Sequence, residues 1–251
     1  MTKKKKGVFR IGTSGIVVPG SKETFPVQFQ NKSRLNYYSS LFNTLEVNAS
    51  FHKLPMPATF QKWSNDVPDD FLFTLKIWKE ITHIKKLKTD LSNIDTFLDA
   101  ADNIGSKKGC LLIQFPGSIT LDYYSEVEQI LLKVQEKDKR NLWRKAVEFR
   151  NTSWYVGEGN ELINSIGGSM VRHDMPKSKN MSIEDNADFA YFRFHGPAGD
   201  YRGSYSNEFL QQQAEKMNFY LNKGKEVFAY FNNTMGNAFQ NAMDLRAMIT
   251  I

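Results

Sequence analysis

Phe189-Ala190-Tyr191-Phe192-Arg193-Phe194-His195-Gly196 sets the architecture expected for the chain. Its aromatic content suits a strand, and its alternation places Arg193 and His195 on one face with Phe192 and Phe194 on the other. Two charged or titratable groups therefore share a strand face just before a glycine-rich turn. Seven further stretches read as strands: Val8–Thr13, Thr44–Asn48, Leu72–Trp78, Gly109–Phe115, Lys145–Arg150, Gly168–Asp174 and Glu226–Asn233. Helical spacing fills much of the chain between them. Leu87, Leu91, Ile94, Leu98 and Ala101 form one stripe, and Tyr124, Val127, Leu131 and Val134 a second. Leu210, Ala214, Met217 and Leu221 form a third, with a less regular one through Met235, Phe239, Ala242 and Met248. After the sixth strand, Met175–Asn180 reads as loop. Eight strands alternating with helices predict an α/β fold, a TIM-type (β/α)8 barrel, as a single domain over residues 7–251. An open doubly wound sheet is the alternative, but Gly12-Thr13-Ser14-Gly15 lacks the glycine spacing of a dinucleotide site.

The 251 residues carry 33 Lys and Arg against 27 Asp and Glu, a net charge of +6. Four of those positive charges are Lys3–Lys6, read as a disordered basic tail over residues 1–6; without them the balance is +2. Overall basicity thus argues little for nucleic acid. Hydrophobic residues at 41% and charged residues at 24% are ordinary for a folded domain. One cysteine, Cys110, excludes an internal disulfide and a thiolate metal cluster. No apolar run reaches the roughly 18 residues of a membrane span. Arg10 interrupts the apolar residues of Gly7–Gly12, so no signal peptide is read, and the expected location is cytoplasmic.

Barrels of this kind bind ligands at the carboxyl ends of their strands, and strand parity picks out the side chains that point inward there. Those are Glu46 and Asn48 on the second strand, Lys76 with Trp78 on the third, Gln114 on the fourth, and Glu148 with Arg150 on the fifth. Asp174 ends the sixth, Arg193 and His195 the seventh, and Tyr230 and Asn232, followed by Asn233, the eighth. Such a set is either a structural ion network or a ligand site. Its clustering at one end of nearly every strand favours the ligand site, because a buried charge must be paired or serve a ligand.

Three ligand classes fit. A phosphate would suit the glycine-rich run Gly196–Gly203 and the helix start at Asn233–Asn237, where backbone N–H groups attract anions; an ordinary turn capped by Asn233 or Thr234 is the slightly favoured reading. A ring-bearing ligand could stack on Phe51, Trp78, Trp154, Tyr201 or Tyr205, which lie just past strand ends. A divalent metal would find suitable ligand types in Glu46, Glu148, Asp174 and His195, although no metal motif is present, Lys76 and the arginines compete for the carboxylates, and no residue is assigned as a ligand. His195 is the natural acid or base, with His52 and His83 as lesser candidates. Glu46 paired with Glu148 would suit glycoside hydrolysis. Cys110 lies near the start of its strand, at the wrong end for a nucleophile.

These residues also carry a resemblance. Ile11-Gly12-Thr13-Ser14-Gly15, Glu46-Val47-Asn48-Ala49-Ser50-Phe51, Phe73-Thr74-Leu75-Lys76 with Ile81-Thr82-His83, and Gln114-Phe115-Pro116 form its first half. Ala146-Val147-Glu148-Phe149-Arg150 with Ser153-Trp154, Tyr191-Phe192-Arg193-Phe194-His195-Gly196, and Phe231-Asn232-Asn233 with Gly236, Ala238 and Asn241-Ala242 form its second. Across nearly the whole chain the sequence resembles the YecE-like proteins, the family called domain of unknown function 72. The resemblance implies a TIM-type barrel with a shared pocket containing Glu46, Asn48, Lys76, Glu148, Arg150, Asp174, His195, Tyr205, Asn232 and Asn233. It implies no established activity; likeness of the family's pocket to metal-dependent endonuclease barrels implies DNA binding. The sequence departs from the family pattern at Ile16-Val17-Val18-Pro19, His52 and Ile77-Trp78, around the first three strand-end loops.

The leading expectation is therefore a barrel binding a small anionic, phosphate- or sugar-containing ligand, with hydrolysis as the reaction class. Glu148 or Glu46 would act as base and His195 as acid or base. Arg150, Arg193 and Lys76 would hold negative charge, and Asn48, Gln114, Trp154, Asp174, Tyr205, Asn232 and Asn233 would line the ligand. A metal-dependent phosphodiesterase on nucleic acid is the second expectation. A non-catalytic nucleic-acid or ligand-binding module, drawing on Lys3–Lys6, is the third.

Overall fold

A computed structural model describes residues 6–181 and 186–250. The tail assigned to residues 1–6 therefore lies outside the described residues except for Lys6, which is exposed. Nine strand segments are present among the described residues: β1 (Phe9–Thr13), β2 (Thr44–Val47), β3 (Leu72–Lys76), β4 (Lys108–Phe115), β5 (Arg144–Phe149), β6 (Ser169–Met170), β7 (Arg172–His173), β8 (Phe189–Phe194) and β9 (Glu226–Phe231). All the ladders between these strands are parallel. One sheet runs β2-β3-β4-β5-β6 and the other β1-β9-β8-β7.

The stretch expected as a single sixth strand is split at Val171. β6 pairs with β5, and β7 pairs with β8. The break has a local cause. The Val171 N–H still donates to the Val147 carbonyl at 2.8 Å, but its own carbonyl accepts from Asn180 Nδ2 at 3.1 Å. The side chain of Asn180 thus takes a place that a neighbouring strand would otherwise fill. On the other side, a parallel bridge joins Ser14, just past β1, to Glu46 of β2.

The four expected helical stripes form helices at Ser92–Ala101, Tyr124–Lys137, Asn207–Asn222 and Ala238–Met248. The first begins later than its stripe. Leu87 sits in a separate 3-10 turn, with Lys86 at φ 55° and Leu87 at φ 50°, in the left-handed region that interrupts a helix. Helices at Arg34–Leu41, Pro57–Asn65 and Gly157–Ser165 were not marked by apolar stripes; local start signals set the first two. The Ser33 hydroxyl accepts from the Asn36 N–H at 2.9 Å, and Pro57 takes the first helical position. Met175–Asn180 holds a short 3-10 turn at Pro176–Ser178 and no longer helix.

Alternation along the strands separates two cores. Leu111, Ile113, Val147, Phe192, Phe194, Ala229 and Phe231 pack with the helices, each fully buried. On the other strand face, Cys110, Leu112, Ala146, Val171, Tyr191, Phe228 and Tyr230 form their own cluster. The Tyr230 hydroxyl is satisfied there by Thr44 Oγ1 at 2.6 Å and Thr74 Oγ1 at 2.7 Å. Above this second cluster, toward the carboxyl ends of the strands, the same face turns from apolar to charged.

Candidate functional site

The charged layer is one continuous chain of hydrogen bonds. Arg193 of β8 is fully buried and donates from each of its three nitrogens to two carboxylates. Its Nε and Nη2 donate to Glu46 of β2 at 2.9 and 2.8 Å, and its Nη1 donates to Glu148 of β5 at 2.8 Å. The Tyr191 hydroxyl adds a bond to Glu46 at 2.6 Å from one layer below. The other Glu148 oxygen accepts from Arg150 Nε. Arg150 Nη2 lies 3.0 Å from His195 Nε2, and His195 Nδ1 lies 3.1 Å from Asp174 Oδ1. A guanidinium can only donate, so Nε2 accepts and the proton sits on Nδ1, pointing at Asp174. The backbone N–H of His195 donates to the same Asp174 oxygen at 2.8 Å, and the Tyr205 hydroxyl donates to the other.

This geometry fixes the protonation states. Burial pushes the Glu46 carboxyl up, but the adjacent Arg193 charge and the hydrogen bonds from Arg193 and Tyr191 outweigh it, leaving it below the ordinary value. Glu148 is held well below the carboxylate range: burial opposes this, and Arg150 and Arg193 win. His195 is lowered because burial outweighs its bond to Asp174, so the imidazole is neutral near pH 7. Burial also lowers His173, whose ring lies 6.0 Å from that of His195, to about 4.

Lys76 ends β3 beside this layer. Its amine sits 3.9 Å over the face of Phe51, and no carboxylate lies within ion-pairing distance of it among the described residues. Lys76 and Arg150 are both half-buried, whereas Glu46, Glu148 and His195 are fully buried beneath them. Burial, followed by the Arg193 charge, lowers the Lys76 amine to about 8. The His83 ring meets Phe51 edge-on at 4.7 Å and is lowered to about 4 by burial and by Lys76. Asn48 and Asn232 are half-buried at the same strand ends, and the buried Asn48 Oδ1 has no hydrogen-bond partner among the described residues. Gln114, paired in register with Glu148, sits close by, with its Nε2 3.5 Å from His83 Nε2.

Three expectations are corrected. Trp154 offers no ring face to a ligand. It is fully buried, stacked on Phe149 at 4.1 Å, and its indole N–H is spent on the Ile119 carbonyl at 2.9 Å. The helix start at Asn233–Asn237 is not an open anion cradle. The Met235 N–H donates to Tyr201, Gly236 N–H to Asn233 and Asn237 N–H to Gly203, so the loops after β8 and β9 tie to each other. Their approach is so close that a Cβ on Gly236 would fall 2.3 Å from the Gly203 oxygen. Asn233 belongs to this tie, donating to the Gly203 carbonyl and to Asn241 Oδ1, each at 3.0 Å. The N-cap position of that last helix is Asn237, not Asn233 or Thr234, and its side chain makes no capping bond.

The donor set does not fit a divalent cation. Both oxygens of Glu46, of Glu148 and of Asp174 already accept from arginine, tyrosine, imidazole or backbone donors. No three His, Cys, Asp or Glu side chains converge as a metal-holding group among the described residues. Cys110 is buried in the cluster below, where burial pushes its thiol well up. A cavity of about 700 Å³ opens at the other end of the strands, beside Trp143, Arg144, Lys145, Phe189 and Glu226. There Glu226 is already bridged by Arg10 and Arg144, and Lys145 by Asp138. At the carboxyl end, by contrast, Lys76 Nζ has no carboxylate partner among the described residues.

Fold and site together define an α/β protein of parallel strands with a buried acid–guanidinium chain at the strand carboxyl ends. The family described as "Protein of unknown function DUF72" matches residues 10–251, and the chain belongs to that family. The UPF0759 protein YunF of Bacillus subtilis (strain 168) is 22% identical over 258 residues, covering 90% of each chain. A crystal structure of a DUF72 family protein from Enterococcus faecalis V583 superposes with a TM-score of 0.80 at 20% identity, covering 97% of this chain and 96% of that one. One from Thermotoga maritima MSB8 gives 0.71 at 24% identity, covering 96% and 98%. These likenesses establish the fold. Among the described residues no helix is long and apolar enough to cross a membrane.

Proposed function

We propose that the nine strand segments close as an eight-stranded (β/α)8 barrel whose charged mouth binds a small organic anion. The Ser14–Glu46 bridge and the division of the sixth strand between two neighbours support closure, because together they link every strand to two others. The observation that carries the ligand reading is the pair of unspent donors, Lys76 Nζ and Arg150 Nη1. Both belong to half-buried cations at the strand ends, and neither is hydrogen-bonded to a carboxylate among the described residues. A carboxylate or phosphate entering there would meet two cations, with the amides of Asn48, Gln114 and Asn232 around it. In this reading Glu46 and Glu148 are not bases. They are buried counter-ions that hold Arg193 and Arg150 in place, and the neutral His195, fixed by Asp174, braces Arg150 from the other side.

The test is calorimetric titration with inorganic phosphate, glycerol phosphate and pyruvate. Lys76→Met and Arg150→Met should each weaken binding of a responsive anion about tenfold or more, the loss of one charged hydrogen bond. Affinities unchanged in both variants, or no binding of any of the three anions, would refute it.

A further inference from the structure

Resting on that anion site, the geometry points to a specific substrate class: we propose that Lys76 forms an imine with a small carbonyl compound that carries a carboxylate or phosphate next to its carbonyl group. Four observations place the chemistry at this one amine. Lys76 ends β3 at the carboxyl end of the sheet and is only partly buried. Its Nζ is held over the Phe51 ring rather than by a carboxylate. The neighbouring Arg150 keeps Nη1 unspent, which gives the anionic group of the substrate a partner beside the nucleophile. Asn48 presents a buried oxygen without a hydrogen-bond partner in the same loop-end region.

The groups that act on Lys76 are Arg193, Glu148, Glu46, Arg150 and His83, and burial with the two guanidiniums prevails over the two carboxylates. With the amine lowered to about 8, its neutral form is on the order of a hundredfold more abundant at pH 7 than that of an ordinary lysine near 10.4. A desolvated lysine beside another cation is a recognised way to make an amine nucleophilic.

The step balances without a further reactant. The neutral Lys76 amine attacks the carbonyl carbon, a C–N bond forms, the carbonyl π electrons move to oxygen, and one of the two nitrogen protons passes to that oxygen. The resulting carbinolamine loses its hydroxyl group and the nitrogen proton as water, leaving a C=N bond. Nothing is oxidised or reduced.

Pyruvate with sodium cyanoborohydride is the probe, since the reagent delivers hydride to the imine carbon and fixes the adduct as a secondary amine. The full-length protein is treated at pH 7, digested, and each lysine is quantified by mass spectrometry. Modification of Lys76 should exceed that of surface lysines at least tenfold. It should fall in Arg150→Met, and acetaldehyde, which lacks the anionic group, should lose the preference for Lys76. Lys76→Arg should abolish the selective adduct, and mapping on the unaltered chain keeps the question open to answer if that variant misfolds. Pyruvate binding without trapping at Lys76, or trapping spread evenly over the lysines, overturns the imine and leaves the anion site standing. Absence of binding by pyruvate and by both phosphate compounds removes the anion site itself.

Discussion

Arg193→Met is the perturbation that loads the buried network most heavily. The guanidinium makes two bonds to Glu46 and one to Glu148, and all three side chains are excluded from water. Glu148 would keep Arg150, but Glu46 would keep only the Tyr191 hydroxyl from this set. Removing one partner of a buried ion pair costs about 3–5 kcal/mol, because the remaining charge is stranded. With a urea m-value of about 3 kcal/mol/M, a 4 kcal/mol loss lowers the unfolding midpoint by about 1.3 M. The pH dependence has a definite sign. In the unaltered chain Glu46 lies below its ordinary 4.5, so its pairing stabilises above that value and is lost as acid protonates it. In Arg193→Met the lowering charge and bonds of the guanidinium are gone, burial outweighs the remaining Tyr191 bond, and the folded-state value rises above 4.5. The penalty is then full above the raised value and fades as the pH falls toward 4.5. Urea unfolding at pH 8 and pH 5 should show the smaller difference from the unaltered protein at pH 5. Adding Glu46→Gln to Arg193→Met should recover about half the loss at pH 8, since it removes the stranded charge. A loss below about 1 kcal/mol, or one that grows on acidification, would refute this account of the network.

Two further outcomes concern His173 and Trp154. His173 is buried and lowered from its ordinary 6.5 to about 4, so the unfolded chain takes up a proton that the folded one refuses. Stability should fall by about 3 kcal/mol between pH 6.5 and 4, and His173→Gln should flatten that limb of the urea midpoint against pH. Trp154→Phe should cost about 1–3 kcal/mol by leaving the Ile119 carbonyl unpaired, while pyruvate and phosphate titrations stay unchanged; a changed affinity would return Trp154 to the ligand wall.

Much of the site was legible because strand parity is rigid. Glu46, Glu148, Arg150, Arg193 and His195 come from three separate stretches, and a period of two brings them to one face. The same parity puts Tyr191, two residues before Arg193, on that face, but alternation does not show that its hydroxyl reaches Glu46. Legibility fails where strands end. Nothing in Ser153-Trp154 reveals that the chain turns the indole back under Phe149, and nothing in Asn233–Asn237 reveals that its N–H groups bond loop residues some 30 positions away. His83 follows β3 on a turn, where alternation carries no information, and only its place in Ile81-Thr82-His83 marked it. The distribution of charge was also hidden: composition shows three acids against three bases, but only geometry shows that Arg193 is paired with two carboxylates while Lys76 has none within ion-pairing distance among the described residues.

The most direct test of the account is a crystal structure of the protein grown with inorganic phosphate. The account predicts phosphate oxygens within hydrogen-bonding distance of both Lys76 Nζ and Arg150 Nη1, with Glu46, Glu148 and Arg193 undisturbed beneath. Phosphate lodged instead in the cavity beside Trp143 and Arg144, with the strand carboxyl ends empty, would contradict it.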